Sequence, residues 1–312
     1  MKVNIPSGRY VIAVSGGVDS MVLLDILAKL AKSRELRAES KKTLSSQPTA
    51  HSSTSLRLVV AHFNHGIRPD SPKDEKLVTK AAQGYKLAFE IGQGKLGAGA
   101  SEEQARKARY QFLESVAKKH KARGIITAHH QDDLIETALI NILRGTGRAG
   151  LSSMAKSKIY RPLLGVPKTE ILAYARKNKI QWREDSTNDD IRYLRNYIRA
   201  HIMSRLTSEK KAEMVNNLDK VAKINKIIDE EIATLSHIHQ KNRLNRQAYI
   251  MLPTQVGEEL LMNFLRHNRL GHFDKKTIKR LSTVIKTGQP GSVHDVMEGR
   301  RLKLTTRLAD LI

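Results

Sequence analysis

Cysteine is absent from the 312 residues of this chain. Without cysteine the chain forms no disulfide bond, offers no thiolate ligand to a metal and has no sulfur nucleophile of its own. It also lacks the His-Glu-x-x-His spacing of histidine-based zinc sites. We therefore expect neither zinc nor an iron–sulfur cluster.

Long apolar runs and aromatic side chains are scarce as well. No apolar run approaches the ~18 residues of a membrane-spanning helix, and the N-terminus shows no apolar signal region. These two absences predict a soluble, cytoplasmic protein without a membrane partner. Aromatic residues make up 4% of the chain, which argues against a stacking platform for single-stranded nucleic acid.

Positive charge, in contrast, is abundant. The formal net charge is +24, and cationic residues outnumber acidic ones in both halves of the chain. Cations spread in this way are suited to a phosphate backbone, and the few aromatic residues favour recognition by shape and charge. The alternative is a basic surface that serves solubility alone.

Short apolar runs alternate with segments of helical spacing before residue 205. We predict strands at 10–14, from 56, at 87–91 and at 124–128, with helices after 18, over 71–86, over 101–119, from 132 and over 168–178. This order predicts an α/β fold, a Rossmann-like parallel sheet with helices on both faces. Residues 33–57 are rich in polar and charged side chains and predict a flexible insertion without assigned structure.

A chain of this length predicts two domains. We place the catalytic domain at 1–205, a linker helix at 206–240 and a small, mainly α-helical domain at 241–312. In the last part the apolar spacing predicts a helix, or two in series, over 208–239 and further helices over 255–269 and 274–286. The alternation of polar and apolar residues after Gly299 predicts a small β-ribbon.

The first strand ends in Ser15-Gly-Gly-Val-Asp-Ser20, and a helix follows at once. Gly16 and Gly17 allow backbone conformations and close approaches that other residues do not. The unpaired amides and the dipole at a helix N-terminus suit phosphate, although glycines chosen for the turn alone are the alternative. The Gly-Lys-Ser/Thr of a P-loop NTPase and the Gly-x-Gly-x-x-Gly of a dinucleotide fold are both missing.

Two further polar clusters follow strands and should share one rim of the sheet with this loop. In the first cluster, His62 and His65 could line an adenine pocket or contact phosphate. His130 in the second cluster could do the same. A structural role for these histidines is the alternative. In the second, Asp133 and Glu136 are three residues apart and share a helix face. Such carboxylates can hold magnesium or receive an ammonium group. Alternatively, they simply occupy the first helical turn, where the helix dipole favours negative charge.

Several arginines are candidates for anion contacts. Arg68 follows the first histidine cluster, and Arg144 opens the basic loop Arg144-Gly-Thr-Gly147-Arg148, which can contact phosphate or merely cap a helix. Arg192, Arg195 and Arg199 recur at helical spacing and form either an anion-binding stripe or a solvated charge run.

The loop at 15–20 resembles the pyrophosphate loop of the N-type ATP pyrophosphatases, the PP-loop superfamily. The whole set of motifs resembles, in order, the tRNA(Ile)-lysidine synthetase family. The motifs are Ser15-Gly-Gly-Val-Asp-Ser20, His62-Phe-Asn-His65-Gly-Ile-Arg68, Glu103-Gln-Ala-Arg106-Lys-Ala-Arg109-Tyr110, Ala128-His-His-Gln-Asp-Asp133-Leu-Ile-Glu136-Thr137, Leu143-Arg-Gly-Thr-Gly147, Arg161-Pro-Leu163, and Glu184-Asp-Ser-Thr-Asn188 before Arg195-Asn196-Tyr-Ile-Arg199. The resemblance is specific over 10–205 and indicates a short form of the family.

That resemblance implies a ligase reaction in two steps. ATP with Mg²⁺ adenylates the C2 oxygen of the wobble cytidine in an isoleucine tRNA with a CAU anticodon, and pyrophosphate leaves. The ε-amine of free L-lysine then displaces AMP and forms lysidine, which changes the specificity of the tRNA from Met to Ile. The domain at 241–312 would bind the tRNA.

The resemblance also implies roles for particular residues. ATP would be bound by Ser15, Gly16, Gly17, Val18, Asp19, Ser20, His62, His65 and His130, with Asp19 near the magnesium ion. Asp133 and Glu136 would bind lysine and, with Asp19, act in catalysis. Arg195 would steady the lysine, and tRNA or phosphate would be contacted by Arg68, Arg109, Arg144 and Arg199.

Three other interpretations remain open. A tRNA thiolase of the same superfamily would need cysteines, and a small-molecule amidating enzyme such as NAD synthetase would not need the charge of +24. A non-catalytic RNA-binding protein would need neither the intact loop Ser15-Gly-Gly-Val-Asp-Ser20 nor the intact Asp-Asp-x-x-Glu motif that ends at Glu136. The oligomeric state, including a homodimer, and the identity of the general base are left open.

Overall fold

The computed structural model describes the whole chain except residues 2, 45–54, 67–70, 95–101, 155–158, 184–193, 271–272 and 298. Contacts divide the chain into two compact units, Met1–Ile140 with Ser153–Asn216, and Asn141–Ser152 with Asn217–Ile312. The division thus falls later than the boundary expected near residue 205. The reason is apolar packing, because Met203 and Met214 join Ile135 and Ile198 in one cluster of the first unit.

The first unit is built on a five-stranded sheet in the order β3-β2-β1-β4-β5. Its strands are β1 (Gly8–Ala13), β2 (Leu56–Asn64), β3 (Ala88–Gln93), β4 (Gly124–Ile126) and β5 (Ile159–Tyr160). The helices, in chain order, are α1 (Val18–Leu44), α2 (Ser71–Gly84), α3 (Glu102–Lys119), α4 (Gln131–Leu143), α5 (Arg148–Leu151), α6 (Lys168–Lys177) and α7 (Leu194–His201), of which α5 belongs to the second unit.

Every strand pair in this sheet is parallel, which confirms the predicted α/β fold. The central strand β1 is buried on both faces, since Tyr10, Val11 and Ile12 are fully covered. From β1 the chain builds the sheet first toward β2 and β3, and then toward β4 and β5 on the other side. Ligands of such sheets bind at the carboxyl ends of the strands where this reversal occurs.

The prediction of a flexible insertion without structure at 33–57 is wrong over much of that range. Helix α1 continues through residue 44, and β2 begins at residue 56. Residues 33–44 consist largely of good helix formers, and Arg34 Nη2 donates to the carbonyl of Ile5 at 2.8 Å. Residues 45–54 lie outside the described part of the chain.

A buried carboxylate ties three elements of the first unit together. Asp25 on α1 accepts hydrogen bonds from the Tyr85 hydroxyl at 2.6 Å and the Tyr174 hydroxyl at 2.7 Å. Lys29 Nζ lies 2.9 Å from the same carboxylate. Burial raises the pKa of Asp25, but the hydrogen bonds from Tyr85, Lys29 and Tyr174 outweigh this and lower its pKa from the usual 3.8.

We expect Asp25→Ala to reduce the free energy of unfolding by about 2–3 kcal/mol at neutral pH, because the partly buried hydroxyls of Tyr85 and Tyr174 lose a charged acceptor. The folded-state pKa lies below the unfolded one, so the stabilisation is present above the unfolded pKa and is lost as pH falls through the folded pKa. Urea unfolding at neutral and acid pH measures both effects. Asp219→Ala, at an exposed i,i+4 pair, is the control. Equal losses in the two variants would contradict the prediction.

The second unit combines helices with an antiparallel sheet in the order β6-β7-β10-β9-β8. Its elements, after α5, are α8 (Ser208–Thr234), which contains the division between the units, β6 (His239–Gln240), β7 (Arg243–Asn245), α9 (Arg246–Ile250), α10 (Thr254–His267), α11 (Lys275–Thr287), β8 (Val293–Met297), β9 (Arg300–Leu304) and β10 (Leu308–Leu311). The helices hold most of the structured residues, as predicted. The expected ribbon is part of a larger sheet, in which β6 and β7 have only two and three residues and are too short to be recognised from the sequence.

Arg246 is an internal brace of the second unit. It is 5% exposed and donates to the backbone carbonyls of Ile285 at 2.7 Å and Thr305 at 2.9 Å, and also to that of Gly288. Two of these carbonyls lie at the C-terminal end of α11, where a cation is favoured by the helix dipole. The side chain therefore joins α9, α11 and the loop before β10.

Replacing Arg246 by methionine should lower the free energy of unfolding by about 3 kcal/mol, since buried carbonyls lose charged donors. Arg243→Ala removes an exposed arginine three residues away and should change stability by less than about 1 kcal/mol. Chemical denaturation of both variants makes the comparison. Similar stabilities would show that Arg246 is not the brace inferred here.

Candidate functional site

The loop between β1 and α1 is folded around the Ser20 hydroxyl. This hydroxyl donates to the carbonyl of Gly17 at 2.9 Å and accepts from the Ser15 N–H at 3.1 Å. Gly16 has φ +95°, a left-handed conformation that favours glycine. Because α1 begins at Val18, the amides of its first turn have no acceptor within the helix and remain suited to an anion.

A cleft of about 380 Å³ opens at the carboxyl ends of β1, β2 and β4. Its volume is in the range of small-molecule sites. The lining includes seven residues predicted to bind or act on substrate, namely Ser15, Asp19, Ser20, His62, His65, Arg109 and Asp133, together with Asn64, Asp74, Thr127 and His129. The fold therefore brings the loop and both histidine clusters to one place.

The predicted nucleotide-binding histidines have different surroundings. His62 is buried, and its Nδ1 lies 2.8 Å from the carbonyl of Val14, so this nitrogen is the donor and fixes the ring against β1. His65 packs edge to face on Phe63, with ring centroids 4.9 Å apart. His62 thus has a clear structural contact in addition to its place in the cleft.

Asp19, at the start of α1, pairs with a residue that the sequence did not indicate. Lys168 Nζ lies 2.6 Å from Asp19 Oδ1, and His130 Nε2 lies 3.8 Å from the same oxygen. Lys168 is the first residue of α6, shortly after β5. Because β5 has only two residues, the sequence shows no strand pattern there and does not indicate that the following helix begins at the rim of the sheet.

Asp74 is a second lining residue that the sequence did not indicate. Its carboxylate lies 2.7 Å from Arg183 Nε, and its Cβ lies close to Gly16. The Arg183 N–H donates to the carbonyl of Gly16 at 3.0 Å. These contacts hold the loop from the side of α2, and only the fold brings residues 16, 74 and 183 together.

His130 connects the loop to the carboxylate pair on α4. Its Nδ1 accepts from the Asp132 N–H at 3.2 Å, so in the neutral ring Nε2 carries the proton. This nitrogen lies 3.6 Å from Asp133 Oδ2 and 3.8 Å from Asp19 Oδ1. A single imidazole therefore lies between the two acidic groups.

The carboxylate pair itself is held by arginines of α7. Arg199 Nε donates to Glu136 Oε1 at 2.7 Å, and Arg199 Nη2 lies 3.4 Å from Asp133 Oδ1. Arg195 Nε lies 3.6 Å from Glu136 Oε2. The predicted stripe on this helix thus faces the carboxylates, and Arg199 contacts them directly.

Burial and charge move the two carboxyl pKa values apart. Burial raises the pKa of Asp133, but His130, its backbone N–H, His129 and Arg199 outweigh it and the net shift is downward. For Glu136 burial also raises the pKa, and Arg199 does not fully offset this, so the net shift is upward. Two neighbouring carboxyls with opposite shifts are typical of an acid–base site.

The remaining predicted arginines are placed differently. Arg109 lines the cleft from α3, where burial lowers its pKa. Arg144 is exposed and belongs to the second unit. Arg68 and the motif at 184–188 with Arg192 lie outside the described residues.

The basic loop after α4 is anchored within the second unit. Arg148 Nη2 lies 2.7 Å from Glu259 Oε2, and Arg148 Nη1 lies 3.0 Å from Asp229 Oδ1. Asn225 Nδ2 donates to the Arg148 carbonyl at 2.8 Å. These bonds explain why 141–152 belongs to that unit, which the sequence did not reveal.

The described residues contain no group of three or more acidic or histidine side chains that could hold a metal by themselves. Asp19 nevertheless fits magnesium that arrives with a nucleotide, since Mg²⁺ is usually held by one or two carboxylates plus phosphate oxygens. Within the same part of the chain, none of the helices has the length and apolar character needed to span a membrane.

Known proteins resemble this chain in sequence and in fold. The curated tRNA(Ile)-lysidine synthase of Geobacter sulfurreducens is 39% identical over 212 residues, which cover 64% of this chain and 41% of that protein. The enzyme of the same name from Thermosipho africanus is 32% identical over 290 residues, which cover 88% and 61%. The chain therefore spans about half the length of these relatives.

A solved structure shares the fold alone. It is the U34-tRNA thiolase NcsA from Methanococcus maripaludis with its [4Fe-4S] cluster, at TM-score 0.52 and 16% identity over 70% of this chain and 74% of that one. Residues 2–206 match the model of the PP-loop domain. Since that match covers well over half of the 312 residues, the chain belongs to the PP-loop domain family.

Proposed function

We propose that this protein is a tRNA(Ile)-lysidine synthetase. It uses ATP to activate the wobble cytidine of an isoleucine tRNA with a CAU anticodon and then joins free lysine to it. The observation that carries this proposal is the placement of an acidic pair, Asp133 and Glu136, one imidazole away from the loop at 15–20. The similarity to curated tRNA(Ile)-lysidine synthases supports it.

In the first step the C2 oxygen of cytidine attacks the α-phosphorus of ATP, and pyrophosphate leaves. The amides of the loop and of the first turn of α1 receive the pyrophosphate. Asp19 would hold Mg²⁺, which neutralises phosphate charge. Lys168, beside Asp19, adds a cation that the loop itself lacks.

In the second step the ε-amine of lysine attacks C2, the bond to the adenylate oxygen breaks, and AMP leaves. Free lysine carries an ammonium group with a pKa near ~10.4, so a proton must be removed first. Asp133, whose pKa is lowered, stays ionised and orients the ammonium group. Glu136, whose pKa is raised, is the stronger base of the two and takes the proton.

The net charge of +24 supports a nucleic-acid substrate over a small-molecule one. In the second unit, Arg266 in the last turn of α10 is exposed, and so are Arg300 and Arg301 of β9. We assign this unit, with Arg144, to the tRNA. Sulfur transfer is not proposed, because the 312 residues contain no thiol to carry sulfur.

The test is incubation with ATP, labelled lysine and an unmodified transcript of the CAU-anticodon isoleucine tRNA. We expect label in this tRNA and none in a methionine tRNA with the same anticodon. Omission of ATP is the control. Absence of label, or equal labelling of both tRNAs, would refute the assignment.

A further inference from the structure

The subsite assigned to the lysine amine contains a cation of the protein itself. The Arg199 guanidinium contacts both carboxylates, at 2.7 Å from Glu136 Oε1 and 3.4 Å from Asp133 Oδ1. The Glu136 side chain is only 2% exposed, whereas that of Arg199 is 36% exposed. An ammonium group that bound these oxygens would have to take the place of Arg199.

A cation at this position is needed when no substrate is bound. A buried carboxylate without a partner is strongly unfavourable, and Glu136 is among the most buried acidic groups described. Arg199 is also held nearby by its own helix, because the neighbouring Ile198 is fully buried against Ile135 of α4. The guanidinium is therefore present at high effective concentration, while its exposed side leaves it a path into solvent.

We propose that Arg199 is a specificity-determining residue that closes the amine subsite until lysine displaces it. This inference rests on the proposed function, in which Asp133 and Glu136 receive the amine. Ammonium and short monoamines offer only one charge and cannot compete with a tethered guanidinium. Lysine also carries an α-amino group and a carboxylate, whose additional contacts offset the loss of the Arg199 pair.

The fraction of time that Arg199 occupies the subsite determines how much it weakens the binding of other cations. If Arg199 occupies the subsite about nine-tenths of the time, the apparent affinity of a competing cation falls about 10-fold. Removing the guanidinium should therefore strengthen the binding of small cations by at least about 10-fold. The same change should lower the selectivity of the enzyme for lysine over short amines.

Calorimetry on the full chain with methylguanidinium and ethylammonium tests the inference without tRNA. We expect little binding to the natural protein and clear binding to Arg199→Ala. Arg205→Ala removes an exposed arginine shortly after α7 and serves as the control, with no gain expected. Arg199→Gln, which keeps a planar amide beside Glu136, provides a second variant if the alanine variant melts at a lower temperature.

Competition between labelled lysine and ethylamine for the activated tRNA gives the kinetic readout. In Arg199→Ala the ratio of kcat/KM values should shift toward ethylamine by about 10-fold, while the KM for lysine does not rise. A raised KM for lysine without any gain for small amines would overturn the proposal, because Arg199 would then bind lysine and not exclude other amines. If the natural protein makes no lysidine but the variant gains affinity for small cations, the proposed function fails and the closure by Arg199 stands.

Discussion

Replacing Asp133 by asparagine should reduce lysine incorporation into tRNA by at least about 100-fold, because truncating one partner of a buried charge pair costs several kcal/mol. The variant keeps the side-chain shape and one oxygen that can accept a hydrogen bond from the backbone N–H of His130, the bond seen at 3.0 Å. The fold and the tRNA affinity should therefore change little. Filter binding of tRNA, beside the incorporation assay, separates the two effects.

The neighbouring Asp132 provides the matched control. It lies on the same helix, but its carboxylate faces Lys211, with 3.2 Å between Asp132 Oδ1 and Lys211 Nζ. Asp132→Asn makes the same change in charge and should retain most activity. Equal losses in both variants, or loss of tRNA binding in Asp133→Asn, would indicate that Asp133 acts through the structure of α4.

The second large effect is expected at Lys168. In Lys168→Met the ATP-dependent release of pyrophosphate should slow by about 100-fold, because a charge that stabilises the departing pyrophosphate is lost at a preorganised site. The 2.6 Å contact with Asp19 Oδ1 places this cation at the start of α1. Release of pyrophosphate in the presence of tRNA but without lysine isolates the step.

Two further variants control this experiment. Lys168→Arg keeps the charge and should recover part of the rate, while Lys177→Met removes an exposed lysine at the other end of α6 and should behave like the natural protein. An unchanged rate in Lys168→Met would show that the lysine only pairs with Asp19.

The sequence predicted the sheet and the loop because their signals are local. The β-branched run before Ser15 and the helical spacing after Ser20 determine a strand, a turn and a helix without long-range information. The placement of His62 and Asp133 on one rim followed from the parallel topology alone. These are the parts of the site that need no side-chain coordinates.

Long-range partners could not be predicted in the same way. Arg199 was expected to contact tRNA or phosphate, but its spacing on a helix gives no information about the carboxylates that α7 faces. Lys168 follows a strand of two residues, too short to produce a pattern. The opposite pKa shifts of Asp133 and Glu136 depend on burial and on arginines more than fifty residues away.

The central claim is that an amine, delivered as lysine, attacks the activated cytidine. Mass spectrometry of nucleosides from the reacted isoleucine tRNA tests it most directly. We predict that the wobble cytidine gains one lysine with loss of water, and only when ATP and lysine are both present. An unchanged cytidine, or a product that carries sulfur or ammonia in place of lysine, would contradict the claim.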